Sequence, residues 1–250
     1  MRRAPDPAGA SAAAPDAPLS VELDALRAEV DACTRCELHA TRTNAVFGDG
    51  DPHARLMFVG EAPGYHEDQQ ARPFVGAAGK LLAELLAGIG LTREQVFIAN
   101  VLKSRPPDNR DPRPEEIAAC EPYLWRQIAI IKPLVICTLG NFATKLLSGD
   151  PVTGITKVHG QVQQREFGGH EVMLYPIFHP AAALYTRSLL DVLKEDFQRL
   201  PELLGAEGGG AGAPAAPRAI VPEQPDPEPE VKPEAAAPPV DAPATQLGLF

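Results

Sequence analysis

Two cysteines separated by two residues, Cys33 and Cys36, carry the clearest chemical signal in the sequence. This spacing lets two thiolates bind one metal centre, so the pair is typical of half of a zinc or iron–sulfur site. Cys120 and Cys137 follow much later. Cys137 falls in an apolar run that predicts a buried strand, which favours a small core side chain over a ligand. A zinc site with four cysteines would need Cys137 to reach the other three, and the residues alone leave a zinc site and an iron–sulfur site both open.

A second set of reactive side chains lies in three loops that follow predicted strands: Glu61, Asn100 and His179. A carboxylate, a carboxamide and an imidazole are groups that hydrogen-bond a ligand or move a proton. Each also has an ordinary structural interpretation, as a solvated acid, a turn residue and a loop histidine. Phe74, which lies between the first two loops, is equally compatible with a plain core ring.

The elements that would position these loops alternate along the chain. Strands are predicted at 56–59, 96–99 and 134–139, followed by a hairpin of 161–166 and 171–175. Helices are predicted at 20–30, 77–86, 114–131, 140–147 and 188–204, with a helical turn at 92–95. This alternation predicts a three-layer α/β/α sandwich with a mainly parallel sheet. Ligands bind beyond the carboxyl ends of such strands, where the three loops begin.

Composition confines the predicted domain to residues 19–205. Residues 206–250 contain 10 of the 27 prolines and a net charge of -5, and residues 1–18 are rich in alanine and proline. We predict both ends to be disordered, because neither can bury enough apolar surface to offset its ordering entropy. The overall charge of -10 excludes nucleic-acid binding by bulk positive charge, but is compatible with a local basic patch. Without an apolar run of roughly 18–20 residues or a secretory signal, we expect a cytoplasmic protein without disulfides.

Three motifs, in order, carry a family resemblance. Residues 60–64 read Gly-Glu-Ala-Pro-Gly and are followed by Arg-Pro-Phe-Val-Gly-Ala-Ala-Gly at 72–79. Residues 100–103 read Asn-Val-Leu-Lys and precede Arg-Pro-Pro-Asp-Asn-Arg-Asp-Pro at 105–112, and His-Pro-Ala-Ala begins at His179. Together they resemble the type-4, iron–sulfur uracil-DNA glycosylases over about residues 30–200. The resemblance implies the uracil-DNA glycosylase fold and an enzyme of base excision repair that releases uracil from DNA and leaves an abasic site.

The resemblance also implies a role for each residue of the uracil site. Phe74 would stack on the base, Asn100 would read its O4 and N3 edge, and His179 would donate to O2 as negative charge develops there. Glu67 would crowd the methyl group of thymine at C5. Glu61 would either orient the hydrolytic water or contact the base through its backbone. The implied uracil-binding residues are Glu61, Ala62, Glu67, Phe74, Asn100 and His179, of which His179 and Glu61 would be catalytic.

The family carries a [4Fe–4S] cluster on four cysteines, and this chain departs from that pattern. Cys33, Cys36 and Cys120 match three ligand positions, whereas the fourth is Ser104. A serine hydroxyl binds iron less readily than a thiolate at pH 7. We therefore expect a cluster with Ser104 or water on one iron, a labile three-iron form, or an apo protein. Where present, the cluster would pin the N-terminal helix and the 105–113 loop to the core.

Basic residues around the middle and last motifs predict contacts with DNA phosphates, although a solvated charged loop is an alternative. Residues 181–185 would form a wedge that fills the gap left by the flipped base. The predicted phosphate-binding residues are Lys103, Arg105, Arg110, Arg113 and Arg187.

The last five residues, 246–250, read Gln-Leu-Gly-Leu-Phe and resemble peptides that bind the bacterial DNA sliding clamp. Gln246 would hydrogen-bond at the edge of an apolar cleft that takes Leu247, Leu249 and Phe250. The alternative is that this apolar end packs on the protein's own core or has no role. We expect a monomer with no membrane association.

The sequence thus predicts a uracil-DNA glycosylase. One alternative is a uracil-DNA binding protein with weak or no turnover, owing to the missing fourth cysteine. Another is a redox or electron-transfer iron–sulfur protein, which would not need Phe74, Asn100 and His179 together.

Overall fold

The computed structural model describes residues 19–205. The predicted extensions at 1–18 and 206–250, including the peptide at 246–250, lie outside the described residues. Among residues 19–205, no helix combines the length and the apolar character needed to cross a bilayer.

A mainly parallel sheet forms the centre of the described region. Its strands are β1 (Asp49–Gly50), β2 (Leu56–Gly60), β3 (Phe97–Asn100), β4 (Val135–Leu139), β5 (Gln163–Phe167) and β6 (His170–Ile177). They lie in the order β1-β3-β2-β4-β6-β5. The four inner strands are parallel, whereas β1 and β5 pair antiparallel at the two edges. The carboxyl ends of β2, β3, β4 and β6 therefore meet at one edge of the sheet.

Helices cover both faces of this sheet. They are α1 (Leu19–Asp31), α2 (Tyr65–Gln70), α3 (Ala77–Gly88), α4 (Pro114–Ile131), α5 (Gly140–Ser148), α6 (Ile155–Val158), α7 (Pro180–Ala183), α8 (Arg187–Gln198) and α9 (Leu200–Gly205). Short 3₁₀ helices lie at Glu37–Ala40, Arg93–Gln95 and Pro107–Asn109.

Two apolar cores, one on each face of the sheet, produce the three layers. Met57 and Val59 of β2 point into the core that contains α1 and α4. Leu56 and Phe58 point into the opposite core, with α3 and α8. Successive side chains of a strand alternate between faces, so an inner strand covered by helices on both sides is apolar throughout. The predicted three-layer α/β/α sandwich is confirmed.

The predicted helix at 188–204 is wrong as a single helix. It is divided into α8, which ends at Gln198, and α9, which begins at Leu200. Pro201 has no amide hydrogen to donate to the carbonyl of Phe197, so the helical hydrogen-bond ladder is interrupted there. The prediction also missed the two-residue strand β1 and the short helices α2, α6 and α7.

Candidate functional site

A cavity of about 390 Å³ opens at the carboxyl ends of the parallel strands. It is bounded by the loops after β2 and β6, by the end of β3, and by the loop between α2 and α3. The lining residues are Glu61, Ala62, Pro63, Gly64, Glu67, Phe74, Ala78, Asn100, Pro106, Asn109, Arg110, His179 and Ala181. All six residues predicted for the uracil site are among them, so the structure brings them together in one cavity.

Phe74 forms an aromatic wall of this cavity and is held there by an unusual backbone. Its φ of 52° places a non-glycine residue in the left-handed region, which is costly unless the surroundings impose it. Arg93 stabilises this backbone conformation, because its guanidinium donates to the carbonyl oxygens of Pro73 and Phe74, both at 2.7 Å. Gly79 leaves room for this turn, because a Cβ there would lie 1.9 Å from the carbonyl oxygen of Phe74. The Phe74 ring also stacks on the His179 imidazole at a centroid distance of 5.5 Å.

Asn100, the last residue of β3, brings a carboxamide to the same place. Its side chain is 2% exposed, and within residues 19–205 its Oδ1 has no hydrogen-bond partner. A Cβ on Gly60 would lie 2.4 Å from this Oδ1 and 2.8 Å from Cζ of Phe74, so both groups lie directly over the end of β2. A buried acceptor without a partner costs about 1–3 kcal/mol. The arrangement therefore favours a ligand that donates an N–H to Asn100.

His179 lies at the N-terminus of α7, and its tautomer follows from its contacts. The main-chain N–H of Ala181 donates to Nδ1 at 3.1 Å, so Nδ1 is an acceptor and the ring proton lies on Nε2. Burial lowers the pKa of His179 to about 4, although the carboxylate of Glu67 acts in the opposite direction. The imidazole is therefore neutral at pH 7, with Nε2–H available as a donor.

Two carboxyl groups complete the polar lining. Burial raises the pKa of Glu61, and the negative charge of Asp111 raises it further. The carboxylate of Glu67 has a structural task that the sequence did not reveal, since its Oε1 accepts from the amides of Val75 and Gly76 at 2.9 Å. This contact closes the loop that presents the aromatic wall.

Several lining residues were missed by sequence reasoning. Pro106 and Asn109 belong to the loop that was predicted to contact DNA, and their place within the middle motif was the only signal. Arg110 was predicted to bind phosphate but not to line the cavity. Tyr65 follows the lining residue Gly64, is 54% exposed, and has the Arg105 guanidinium 5.3 Å from its ring centre.

Comparison with known proteins shows which family the chain resembles. Residues 47–201 match the model of the uracil DNA glycosylase superfamily. The sequence is 51% identical over 185 residues to the type-4 uracil-DNA glycosylase of Sulfurisphaera tokodaii, which covers 72% of this chain and 84% of that protein. The chain belongs to the type-4 uracil-DNA glycosylases. The proteins of that name from Archaeoglobus fulgidus and Thermotoga maritima are 50% and 46% identical, over 73% and 72% of this chain and 94% and 93% of their own lengths. The family resemblance predicted from the motifs is confirmed.

Four of the five residues predicted to bind phosphate in this type-4 uracil-DNA glycosylase are at least partly exposed: Arg105, Arg110, Arg113 and Arg187. Arg110 lines the cavity, but its guanidinium also donates two hydrogen bonds to the buried carboxylate of Glu116 and lowers the pKa of that group. Its charge is therefore partly compensated before any phosphate arrives.

Lys103 requires a correction. Its side chain is only 1% exposed, so it does not belong to a phosphate-binding surface. Its Nζ donates to the carbonyl oxygen of Asn100 at 2.7 Å and to Oε1 of Gln127 at 2.6 Å. Burial lowers the pKa of Lys103 to about 7. The sequence misled because a lysine in a polar, proline-rich loop is ordinarily exposed.

Three of the four cysteines lie on one side of the sheet. Cys33 and Cys36 are half-buried after α1, Cys120 is buried in α4, and all three pack against the same core. Burial raises the pKa of the Cys120 thiol to about 11, and the nearby thiols of Cys36 and Cys33 raise it further. Cys137 is fully buried in the opposite core, as the sequence favoured.

The donor set on this side fits the iron–sulfur cluster implied by the family name only in part. Ser104 is buried, and its Oγ accepts a hydrogen bond from the guanidinium of Arg42 at 3.0 Å. Over the range 19–205, no three His, Cys, Asp or Glu side chains form a metal-binding group as they stand. The thiols of Cys33 and Cys36 each raise the pKa of Cys120, so the three influence one another electrostatically. Thiolates are the ligands that a cluster prefers, whereas a hydroxyl already bonded to a cation is a poor fourth ligand.

Proposed function

We propose that this chain hydrolyses the N-glycosidic bond of uracil in DNA, which releases free uracil and leaves an abasic site. The observation that supports this most directly is the convergence of Phe74, Asn100 and His179 on one cavity, with the acceptor oxygen of Asn100 unpartnered. The two alternative functions, a binding protein without turnover and an electron-transfer protein, are not favoured by the family to which the chain belongs.

Base recognition follows from the shape and the hydrogen-bonding groups of the cavity. Uracil flipped out of the duplex would stack on Phe74. Its N3–H would donate to Oδ1 of Asn100, and its O4 would accept from the amide nitrogen. Cytosine presents the reverse pattern of donor and acceptor, so both contacts would fail. Each unpaired buried group then costs about 1–3 kcal/mol.

Bond cleavage needs stabilisation of the leaving base. As the bond between N1 of uracil and C1′ of deoxyribose breaks, the electron pair moves to the base and spreads onto O2. The neutral His179 would donate Nε2–H to that oxygen, a contact that strengthens as the charge grows. Water then bonds to C1′, and its proton is released to solvent or to the departing uracil.

Glu61 is the candidate for holding that water. Its carboxyl group lines the cavity, and its raised pKa reflects a partly desolvated position. Ala62 and Glu67 would form the rest of the base pocket, with Glu67 near C5 of the uracil. The deoxyribose intermediate has oxocarbenium character and needs only modest help for attack by water.

The DNA strand would be held around the cavity by charged side chains. Arg105, Arg110, Arg113 and Arg187 would contact phosphates, and residues 181–185 would fill the place of the flipped nucleotide. Leu184 and Tyr185 are 43% and 90% exposed, as a wedge requires.

Cys33, Cys36 and Cys120 would hold an iron–sulfur cluster, with Ser104 in place of the fourth cysteine. Its contribution would be structural, because Cys33 and Cys36 lie in the segment after α1 and Cys120 lies in α4. We assign it no part in breaking the glycosidic bond.

The C-terminal residues 246–250 would bind the DNA sliding clamp and raise the effective concentration of the enzyme near new DNA. Replacing both Leu249 and Phe250 by alanine should abolish binding of the full chain to purified clamp in surface plasmon resonance. Val240→Ala, in the same tail, is the control and should leave binding unchanged. Equal clamp affinity in both variants would contradict the assignment.

The activity is tested with oligonucleotides that contain one uracil, cytosine or thymine, and free base is measured by mass spectrometry. We expect free uracil and an abasic site from the first substrate only. Asn100→Ala should lower kcat/KM by at least about 10-fold, because two hydrogen bonds to the base are lost. Tight uracil-DNA binding without release of the base would instead support the binding protein.

A further inference from the structure

Lys103 is a buried polar side chain that the proposed reaction does not use. It follows β3 by three residues and is 1% exposed. Its Nζ donates to the main-chain oxygen of Asn100 and to Oε1 of Gln127, and Nε2 of Gln127 donates to the carbonyl oxygen of Phe47. Within residues 19–205, no carboxylate lies in ion-pair contact with Lys103. Burying an amine without a carboxylate beside it costs free energy of folding. We therefore expect Lys103 to have a specific role.

The contact with Asn100 supplies a hydrogen bond that the sheet cannot. Strand β3 pairs with β1 only at Phe97 and Ile98, so the main-chain oxygen of Asn100 lies beyond the last pair. On the other side, the amide of Val101 donates to the oxygen of Gly60 and continues the attachment to β2. Lys103 therefore gives the main-chain oxygen of Asn100 a hydrogen-bond donor at the rim of the cavity.

The lysine is itself firmly anchored. Its main-chain oxygen accepts from the amide of Val46 at 2.7 Å. Gln127, the second partner of Nζ, is fully buried in α4. The ammonium nitrogen thus has a fixed place relative to both β3 and α4.

We infer that Lys103 is a positioning residue for base recognition, which fixes the peptide of Asn100 so that the carboxamide points into the cavity. This inference rests on the proposed function, since the base that Asn100 reads is uracil. Lys103 touches neither the base nor the sugar and acts only through Asn100.

The test compares Lys103→Met, which keeps the bulk but removes the donor, with Lys194→Met on the exposed surface of α8. We expect Lys103→Met to weaken binding of free uracil, measured by calorimetry, by about 10-fold or more, and to lower the ratio of uracil to cytosine release. Lys194→Met should match the wild type in both measurements. Gln127→Met removes the second hydrogen-bond partner of the same ammonium group. It should change the uracil affinity and the ratio of uracil to cytosine release in the same direction as Lys103→Met, but by a smaller factor.

An Asn100→Ala background separates positioning from general destabilisation. If Lys103 acts through the carboxamide, Lys103→Met should cause little further loss of uracil affinity once that carboxamide is gone. A loss of the same factor in both backgrounds, or unchanged uracil affinity in Lys103→Met, would overturn the inference. If Lys103→Met does not fold, the same comparison is made with Gln127→Met. Failure of the proposed function is distinct, because it would show as uracil binding by the wild type without release of base from DNA.

Discussion

His179 shows how one side chain is prepared by its surroundings. The Ala181 amide fixes the tautomer, and burial keeps the ring neutral, so the ring carries a donor proton on Nε2 before any ligand arrives. A neutral imidazole gains more from an oxygen that is becoming an anion than from a carbonyl in the ground state. As a consequence, His179 is harder to protonate in the folded protein than in the unfolded chain.

Because folding lowers the pKa of His179, we expect the stability of the protein to depend on pH. The pKa of His179 falls from 6.5 in the unfolded chain to about 4 in the folded protein. Between these values the unfolded chain binds a proton that the folded protein does not, so stability from this group is complete above pH 6.5 and declines as the pH falls to about 4. The loss is on the order of 3 kcal/mol.

Chemical denaturation of wild type and His179→Gln at several pH values measures this effect. The glutamine cannot titrate, so the difference in free energy of unfolding between the two proteins should change from pH 7 to pH 4. A difference that stays constant over this range would contradict the neutral, buried histidine.

The roles of single residues could be predicted from the sequence only in part. The six residues of the uracil site were recognised because they lie in motifs, and the structure gathers them in one cavity. Arg93 and Lys103, which hold Phe74 and Asn100 in place, were not recognised in those roles, because a long cationic side chain has many reachable partners. Motifs identify groups that touch a ligand better than those that support them.

At the scale of elements, the loop between α2 and α3 must keep its turn to present Phe74. Gly79 lies in α3 directly against this turn, whereas Gly88 ends the same helix with open space around it. Gly79→Ala should displace the loop and cost several kcal/mol of stability, because the clash is with backbone rather than a movable side chain. Gly88→Ala should be neutral or stabilising by up to about 1 kcal/mol.

Gly79→Ala and Gly88→Ala are compared by thermal unfolding and by the rate of uracil release from DNA. Gly79→Ala should lower both the melting temperature and kcat/KM, while Gly88→Ala should preserve the rate. Equal behaviour of the two alanines would show that the left-handed Phe74 is not held by the close approach of α3.

Element boundaries were predictable where apolar periodicity was strong. The helix at 114–131 and the hairpin of β5 and β6 were predicted close to their observed bounds. The two-residue β1 has too few residues for any periodicity, and α2, α6 and α7 are each six residues or shorter. Such elements depend on tertiary contacts, including the acceptance of two amides by Glu67.

At the scale of the whole molecule, the two faces of the sheet have different chemistry. The face with α1 and α4 contains Cys33, Cys36 and Cys120, and the other face contains only Cys137 among the described cysteines. We expect the purified protein to contain iron and Cys120→Ala to lose it, since one of the three proposed thiolate ligands is removed. Cys137→Ala should keep its iron content and lose only packing.

The iron and acid-labile sulfide content per protein chain is measured for Cys120→Ala and Cys137→Ala. A third variant, Ser104→Cys, supplies a fourth thiol. A fourth thiolate should slow the loss of iron to a chelator relative to the wild type. Equal iron content in Cys120→Ala and Cys137→Ala would contradict the assignment of the cluster to the α1 and α4 face.

The central claim is that Asn100 and His179 act on one and the same bound base. A double-mutant cycle on kcat/KM for a single-uracil oligonucleotide tests it most directly. Asn100→Ala should cost at least about 10-fold and His179→Ala about 10²–10³-fold. The double variant should lose clearly less than the product, because a base released by one residue is poorly aligned for the other. Losses that multiply in full, or a single variant with the wild-type rate, would contradict a shared uracil site.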